Sequence, residues 1–228
     1  MIAQSWTMAR GRELFRVTVP GRRSNSVEAE TRACLEAAFA AIRRAGLPIA
    51  HIVRSRLWAR DTEVRRRASD TRRVELAGLL RGASASLVAP AHLPDDATVM
   101  IDLLVLRASS PAAEKAIAEY DPPIAPPEFV ALDGMVFLSG NTDTTPSFDS
   151  QLVQVRSKIH ASLRKTGATW GSVMHLSAFV SEALDQDGAR GQIKDCFPEL
   201  SCPFDVATVT GFSAPEKLVE IEVTADLR

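Results

Sequence analysis

The chain has 228 residues, 46% of them hydrophobic and 24% charged, with three cysteines and a net charge of −1. This length suits one large globular domain or two of about 110 residues, and scattered arginines with few aromatics among them argue against nucleic-acid binding. No apolar run approaches the roughly 18 residues of a membrane span, and neither a secretion signal nor a metal-ligand spacing of cysteines is present, so we expect a cytoplasmic protein without metal or membrane.

The net charge conceals a difference between the two ends of the chain. Residues 1–107 carry 18 Lys and Arg against 11 Asp and Glu, whereas the remaining residues carry 9 against 17. A basic segment and an acidic segment attract each other across an interface. We therefore expect the two parts of the chain to face each other, within one chain or between chains.

The first half begins with an alternating strand over residues 14–21, followed by a helix whose apolar face carries Leu35 and Ile42. Asn25 with Glu28 predicts the capped start of that helix. The later predicted elements of this half are a strand over 52–58, a second, more polar helix, and a final strand pair that includes 99–101.

The second half repeats this order. Asp133-Gly134 separates two short apolar strands and predicts a tight hairpin turn. Helical spacing of apolar residues follows, at Leu152, Val155 and Ile159. The later predicted elements are strands over 173–179, 204–210 and 218–225, with a polar helix between the first two.

The stretch between the halves predicts a domain boundary. Pro111 suits the first position of a short helix, and the proline-stiffened segment Asp121–Phe129 excludes regular structure. We predict a first domain over 1–108, a helix and proline-rich linker over 109–127, and a second domain over 128–228. Because an offset of about 121 residues aligns the halves, we predict an α+β fold with two tandem units, each β-β-α-β-α-β-β with both helices on one face of a mixed sheet.

Four segments carry a family resemblance through their common order and spacing. They are RAGLPIAHIVRSRLWARD (44–61), GMVFLSGN (134–141), VMHLSAFVSE (173–182) and LVEIEVTADLR (218–228). Together they resemble the Rid, or YjgF-type, family of reactive-intermediate deaminases, some of which carry an endoribonuclease label. The two copies cover nearly the whole chain.

The resemblance implies a chorismate-mutase-like fold, trimeric assembly and small clefts between neighbouring domains. The best-known Rid proteins hydrolyse enamines and imines and release ammonia and a keto acid, and we expect no cofactor in this chain. In them an arginine after a Pro-Ala pair grips the substrate carboxylate, and a glutamate on the last strand positions water. Chorismatases also resemble doubled Rid domains, but they are longer, and their active-site segments are not recognisable here.

The residues of the family site carry over only in part. Glu220 falls on the family glutamate, Ser139 and Gly140 fall on the turn, and Asn141 replaces the usual glutamine. The arginine is missing, because its position is occupied by Asp205. In the first half, Ala85 and Met100 take the places of the arginine and the glutamate, so that site is degenerate.

A carboxylate substrate would need another cation, since Asp205 would repel it. Arg190 lies on a segment that lines the cleft in relatives and is one candidate. Arginines of the first half are the other candidates, reaching the second-half cleft across an interface. They are Arg65, Arg66, Arg67, Arg72 and Arg73. The competing interpretation of this cluster is a solvated helix face.

Glu220 and Glu222 alternate with apolar residues, which predicts a strand with one face covered by helices and one face bearing carboxylates. An exposed edge would explain this pattern without any function. If the face lines a cleft instead, Glu220 is a general base or orients water, and a nearby Asp205 would raise its pKa. Ser139 is the other conceivable nucleophile, but no histidine is evidently placed to activate it, which favours a turn serine.

These observations predict a divergent Rid protein that hydrolyses or deaminates a small imine or enamine metabolite. The predicted site comprises Glu220 as catalytic residue with Ser139, Gly140, Asn141, Arg190 and Asp205 around the substrate. The alternative is a non-catalytic protein of the same fold that binds a small molecule or serves assembly. A homotrimer is the expected assembly and a dimer the alternative, because two domains per chain do not complete a ring of three.

Overall fold

Two mixed β-sheets, each with two helices on one face, make up the fold, and the computed structural model describes residues 2–8 and 11–227. The first sheet has the strand order β1-β2-β5-β3-β4. Its elements are β1 (Ile2–Met8), β2 (Arg12–Pro20), α1 (Val27–Arg44), β3 (Ile52–Ala59), α2 (Thr62–Glu75), β4 (Ala83–Val88) and β5 (Val99–Arg107).

The second sheet has the order β11-β10-β12-β8-β7-β6, and a short strand, β9, pairs with β12. Its elements are β6 (Lys115–Ala118), β7 (Phe129–Leu132), β8 (Met135–Leu138), β9 (Asn141–Thr142), α3 (Phe148–Thr166), β10 (Val173–Ser181), α4 (Gln186–Cys196), β11 (Phe204–Val209) and β12 (Val219–Asp226). In each sheet one neighbouring pair is parallel, β3 with β4 and β10 with β11, and the other strand pairs are antiparallel. The predicted α+β repeat is confirmed.

Amphipathic spacing explains where each core lies. Leu35 and Ile42 of α1 are buried against Ile101 of β5. In the second half, Val155 and Ile159 of α3 are buried in the core that β12 also contributes to. Each such aliphatic side chain contributes about 1.5–3 kcal/mol when fully buried, so the helices are held on one face of each sheet.

None of the described helices combines the length and apolar character of a membrane-spanning segment.

The hairpin turn predicted at Asp133-Gly134 is confirmed. Both residues have positive φ, 50° and 78°, as a two-residue turn between twisted strands requires. The turn sets the register of β7 and β8, in which Leu132 pairs with Met135.

Helix α1 begins one residue later than the capping prediction placed it. Ser26, rather than Asn25, is the N-cap, and its side chain accepts a hydrogen bond of 3.1 Å from the Ala29 amide. Ser26 has the extended backbone, φ −155° and ψ 159°, that an N-cap residue adopts. Both Asn25 and Ser26 have side chains that can cap a helix. The backbone conformation places Ser26 at the N-cap position.

The predicted helix after Pro111 was wrong. Residues 115–118 form β6, which pairs antiparallel with β7, so that Lys115 lies opposite Leu132. Because β7 would otherwise present an edge of unpaired backbone groups, tertiary pairing overrode the local helical preference. The segment 109–127 is therefore partly an edge strand of the second sheet and partly the proline-rich connection that follows it.

The two halves meet along an extended seam. The Ser84 amide on β4 donates to Ser139 Oγ at 2.9 Å, and the Gly140 amide donates to the Ser84 carbonyl at 3.0 Å. An apolar cluster continues the seam and includes Leu14 and Leu106 from the first half with Val130 and Phe137 from the second. The sheet faces that do not carry helices are thereby buried against each other.

Candidate functional site

A cavity of about 360 Å³ lies where the two halves meet, and we call it the Glu220 cavity. Its walls are α2 with β4 from the first half, the connection 120–127, and the 140–142 turn with β12 from the second half. Helix α2 contributes Arg65, Ser69 and Arg72, a stripe at i, i+4 and i+7 along one face.

Glu220 lies on the polar face of β12. Its neighbours in sequence, Val219 and Ile221, point into the helix-covered core, so the alternation of the strand turns Glu220 and Glu222 toward the other half. Glu220 is 6% exposed and Glu222 is fully buried. The carboxylate-bearing ribbon is therefore enclosed, and the exposed-edge interpretation was wrong.

Gly140 is shaped to the Glu220 carboxylate. A Cβ atom at position 140 would lie 1.8 Å from Glu220 Oε1, so any side chain there would collide with it. Burial, followed by the charge of Glu222, raises the pKa of Glu220 to about 8. The raised pKa favours the protonated form of Glu220 at neutral pH, which can donate a proton inside the cavity.

Three cations stand near this carboxyl group, and they differ in availability. Arg72 is buried and held by the carbonyls of Ser55 and Ala85 at 3.0 and 2.9 Å, and by serine hydroxyls of β3 and β4. Burial lowers the pKa of Arg72 to about 10. Since both of its terminal nitrogens are occupied, Arg72 supplies a fixed positive charge to the wall.

Arg65 is the available cation. Its Nε is buried in the cavity wall without a hydrogen-bond partner among the described residues. Burial lowers the pKa of Arg65, an effect that ionisation of Glu220 would oppose. Lys217 lies on the same cavity, and burial likewise lowers its pKa. A buried, unpaired donor of this kind favours an anionic ligand.

The arginine cluster of α2 therefore divides between the two interpretations considered for it. Arg66 pairs with Glu63 at 2.8 Å and Arg67 with Glu28 at 2.7 Å, both on the outer surface. Arg65, Arg72 and the exposed Arg73 line the cavity. Arg65 and Arg72 are seven residues apart and share one face of α2, but Arg66 and Arg73 have the same spacing, so the sequence alone does not separate the two pairs.

The predicted turn residues lie at the base of the Glu220 cavity. Ser139 is buried, and its hydroxyl is engaged by the Ser84 amide, which suits a structural role across the seam. The Asn141 side chain donates to the Ser139 carbonyl at 2.8 Å and rigidifies the turn. Of the predicted turn residues, only Gly140 lines the cavity itself.

Two predicted site residues lie elsewhere. Arg190 is exposed on α4, with its guanidinium 4.9 Å from the ring centre of Phe204. Asp205 lines a second cavity rather than the Glu220 cavity, and its side chain is 78% exposed. The expectation that Asp205 raises the pKa of Glu220 was wrong, because the strand register places Asp205 opposite Ser177, and Glu222 is the carboxylate that acts on Glu220.

An ion cluster joins the halves beside the cavity. Arg56 Nη2 lies 2.6 Å from Glu222 Oε2, and Arg54 Nε lies 3.5 Å from the same oxygen. Burial alone would raise the pKa of Glu222, but Arg56 and Arg54 hold it below its ordinary value. The predicted attraction between a basic first half and an acidic second half is confirmed at this contact.

No cluster of three His, Cys, Asp or Glu side chains able to hold a metal ion occurs in the described part of the chain. The described residues of the Glu220 cavity instead supply one protonated carboxyl group, cationic side chains and serine hydroxyls. This set is suited to binding an anion and transferring a proton next to it.

Comparison with protein families gives a match over residues 111–227 to the family described as endoribonuclease L-PSP. The chain belongs to this family. The resemblance to Rid, or YjgF-type, proteins is thereby confirmed. No curated protein matches the sequence.

Solved structures extend the likeness to both halves. A chorismatase structure is 18% identical with a TM-score of 0.67, over 97% of this chain and 79% of its own. A YjgF/YER057c/UK114 family member from Mycobacterium tuberculosis is 20% identical with a TM-score of 0.44, over 50% of this chain and 99% of its own. A Rid family protein from Yersinia pestis is 21% identical with a TM-score of 0.45, over 50% of this chain and 99% of its own. The likeness to the chorismatase is one of fold.

Proposed function

We propose that this chain is a divergent Rid-family hydrolase that acts on a small imine or enamine bearing an anionic group, with the Glu220 cavity as its active site. The observation that carries the proposal is a buried carboxyl group with a raised pKa beside an arginine whose Nε has no hydrogen-bond partner in the described part of the chain. The family's carboxylate-binding arginine is replaced by Asp205, and Arg65 of the first half takes over its charge.

The chemistry requires one proton to be given and one to be taken. Glu220 donates its proton to the imine nitrogen, or to the enamine carbon, and so makes the adjacent carbon electrophilic. The resulting carboxylate then accepts a proton from the water that adds to this carbon. Collapse of the adduct releases ammonia or an amine and leaves the carbonyl product.

The cationic wall determines which substrates fit. A carboxylate bound at Arg65 gains a charge-assisted hydrogen bond in a site with little water, and Lys217 and Arg72 add to the positive potential. The cavity volume of about 360 Å³ limits the substrate to a small metabolite. Tyr120 closes one side, and burial raises its pKa to about 12, so its hydroxyl stays protonated.

The test is ammonia release from imines and enamines generated in place by an amino-acid oxidase or lyase. We expect Glu220→Gln to lower kcat by at least ~100-fold, since a positioned acid or base contributes about 10²–10⁴-fold. Arg65→Ala should raise KM by ~10-fold or more, because a charged hydrogen bond is worth about 1.5–3 kcal/mol. Arg66→Ala is the matched control, since Arg66 faces outward on the same helix and pairs with Glu63.

The competing proposal is a binding or assembly protein without turnover, which the missing family arginine favours. Ligand-induced thermal stabilisation that depends on Arg65, without ammonia release from any substrate, would establish it. Because the chorismatase shares the fold over 97% of this chain, chorismate belongs in the substrate panel. The predicted homotrimer is tested by light scattering of the purified protein, with a dimer as the alternative.

A further inference from the structure

Three side chains outside the Glu220 cavity form a hydrogen-bonded chain. Ser177 Oγ lies 3.4 Å from His175 Nδ1, and His175 Nε2 lies 2.9 Å from Asp205 Oδ2. His175 and Ser177 are two residues apart on β10 and so share one face, and Asp205 on the parallel neighbour β11 pairs directly with Ser177. The strand register therefore brings a hydroxyl, an imidazole and a carboxylate into line.

The donors and acceptors around this chain have one consistent arrangement. An ionised Asp205 only accepts, so the proton of a neutral His175 lies on Nε2 and leaves Nδ1 as an acceptor. Arg56 Nη2 donates to Ser177 Oγ at 3.0 Å, and the serine is then free to donate its own proton to His175. Burial lowers the pKa of His175, and the charge of Asp205 opposes that effect; the net direction favours the neutral imidazole, the form that can accept a proton.

A second cavity of about 300 Å³ opens onto these groups between the two sheets. Leu14 and Leu104 form its apolar part, and Arg16 and Arg56 its cationic part. These arginines are balanced by Asp102 and the buried Glu222. The cavity thus suits a small substrate without strong net charge, with a guanidinium beside the nucleophile.

We propose that Ser177 is the nucleophile of a second site that cleaves small acyl esters, with His175 as its base and Asp205 orienting the imidazole. Arrangement of a nucleophile, a base and an orienting carboxylate in sequence is the general requirement for such catalysis. The proposal is independent of the function assigned to the Glu220 cavity, because the described residues that line one cavity do not line the other.

The reaction balances in two steps. Ser177 Oγ bonds to the ester carbonyl carbon while its proton passes to His175 Nδ1, and the oxyanion forms next to the Arg56 guanidinium. The carbon–oxygen bond to the alcohol breaks, and the alcohol takes the proton from His175. Water then adds to the acyl-serine, giving its proton to His175, and the acid leaves as Ser177 regains its proton.

The experiment uses p-nitrophenyl acetate and a small alkyl fluorophosphonate on the full chain. We expect a burst of nitrophenolate, and a fluorophosphonate adduct on Ser177 identified by intact mass and peptide mapping of the unaltered protein. His175→Gln should slow labelling by ~100-fold or more. Asp205→Asn should slow it only a few-fold, because this carboxylate is 78% exposed and orients the imidazole weakly.

Ser177→Ala should abolish the adduct, whereas Ser181→Ala, at the end of the same strand, should leave it intact. Thermal unfolding of each variant separates loss of reactivity from loss of fold. Mapping on the unaltered protein decides the question without any variant: an adduct on another residue, or none at all, overturns the proposal. Neither result bears on ammonia release at Glu220.

Discussion

In both halves of the molecule a carboxylate lies against the glycine that follows the first hairpin. One of these carboxylates has a structural role, and the other faces a cavity. A Cβ on Gly21 would lie 2.0 Å from Glu30 Oε1, and one on Gly140 would lie 1.8 Å from Glu220 Oε1. Glu30 comes from helix α1, whereas Glu220 comes from the closing strand β12.

The surroundings decide which carboxylate is structural. Glu30 accepts hydrogen bonds from the Thr98 and Val99 amides at 2.8 and 3.2 Å, and from the Thr98 hydroxyl at 2.5 Å. At the corresponding helix position of the second half, Gln151 Oε1 accepts from the Leu218 amide at 2.8 Å. With that task already performed by Gln151, Glu220 is left facing an open cavity, and burial and charge rather than hydrogen bonds set its pKa. The Glu30 carboxylate, whose oxygens accept hydrogen bonds, supports the fold. The Glu220 carboxyl group, which faces the cavity, remains able to react with a bound molecule.

The largest expected effect is on stability, and it should differ between Glu222 and Asp102, its counterpart on β5. Glu222→Gln removes the nearest buried countercharge of Arg54 and Arg56, and leaves Arg56 with Asp102, whose Oδ2 lies 3.8 Å from Arg56 Nη1. We expect the free energy of unfolding to fall by about 3–5 kcal/mol. Asp102→Asn should cost less, because its partner Arg16 is 36% exposed. Urea unfolding of both variants measures the difference. Equal losses would show that the Glu222 cluster stabilises the protein no more than the Asp102 pair does.

The next largest expected effect is on activity, and it should differ between Glu220 and Glu30, the two carboxylates that face a glycine. Glu220→Gln should lower ammonia release by at least ~100-fold, equivalent to about 2.7 kcal/mol in the barrier. Glu30→Gln should change it less than ~2-fold, since glutamine already serves the equivalent position of the second half. Steady-state kinetics on both variants make the comparison. A large loss in Glu30→Gln with an unchanged fold would contradict the assignment of roles.

The pH dependence of stability should reveal the buried carboxyl group of Glu220 in the second half. The pKa of Glu220 rises from 4.5 to about 8 on folding, so the native state holds its proton while the unfolded state has lost it. This contribution to stability is present below pH 4.5 and is lost as the pH rises to about 8. The slope reaches up to about 1.4 kcal/mol per pH unit. Unfolding followed from pH 5.5 to 7.5 should show this slope in the unaltered protein and a flatter one in Glu220→Gln.

The smallest effect concerns the long helix of each half. Ser26 caps α1 through the Ala29 amide, and Ser147 caps α3 through the Ser150 amide. Replacing either serine with alanine should lower the free energy of unfolding by about 1 kcal/mol. Because Ser150 also reaches back to the Ser147 amide, part of the α3 cap survives in Ser147→Ala. Thermal unfolding of the two variants tests whether α1 is the more sensitive helix.

Local patterns carried most of the fold. The Asp133-Gly134 turn, the alternation of β12 and the helical spacing of α1 and α3 each depend on neighbours within a few residues, and each was predicted correctly. The segment at 115–118 was not, since its strand exists only because β7 offers a partner. Sequence alone does not show which edge a segment will meet.

By itself, therefore, the sequence determined a repeated α+β unit, its family and the glutamate on its last strand, because periodicity and turn chemistry act over short distances. Only the tertiary structure decided what surrounds that glutamate. Arg65 of the first half lines the same cavity as Glu220, and Asp205 contacts His175 instead of entering that cavity. The charge of Glu222 is neutralised by Arg54 and Arg56. Side chains from elements far apart in the chain meet only when the sheets pack, and the charges and burial that set their reactivity arise at that contact.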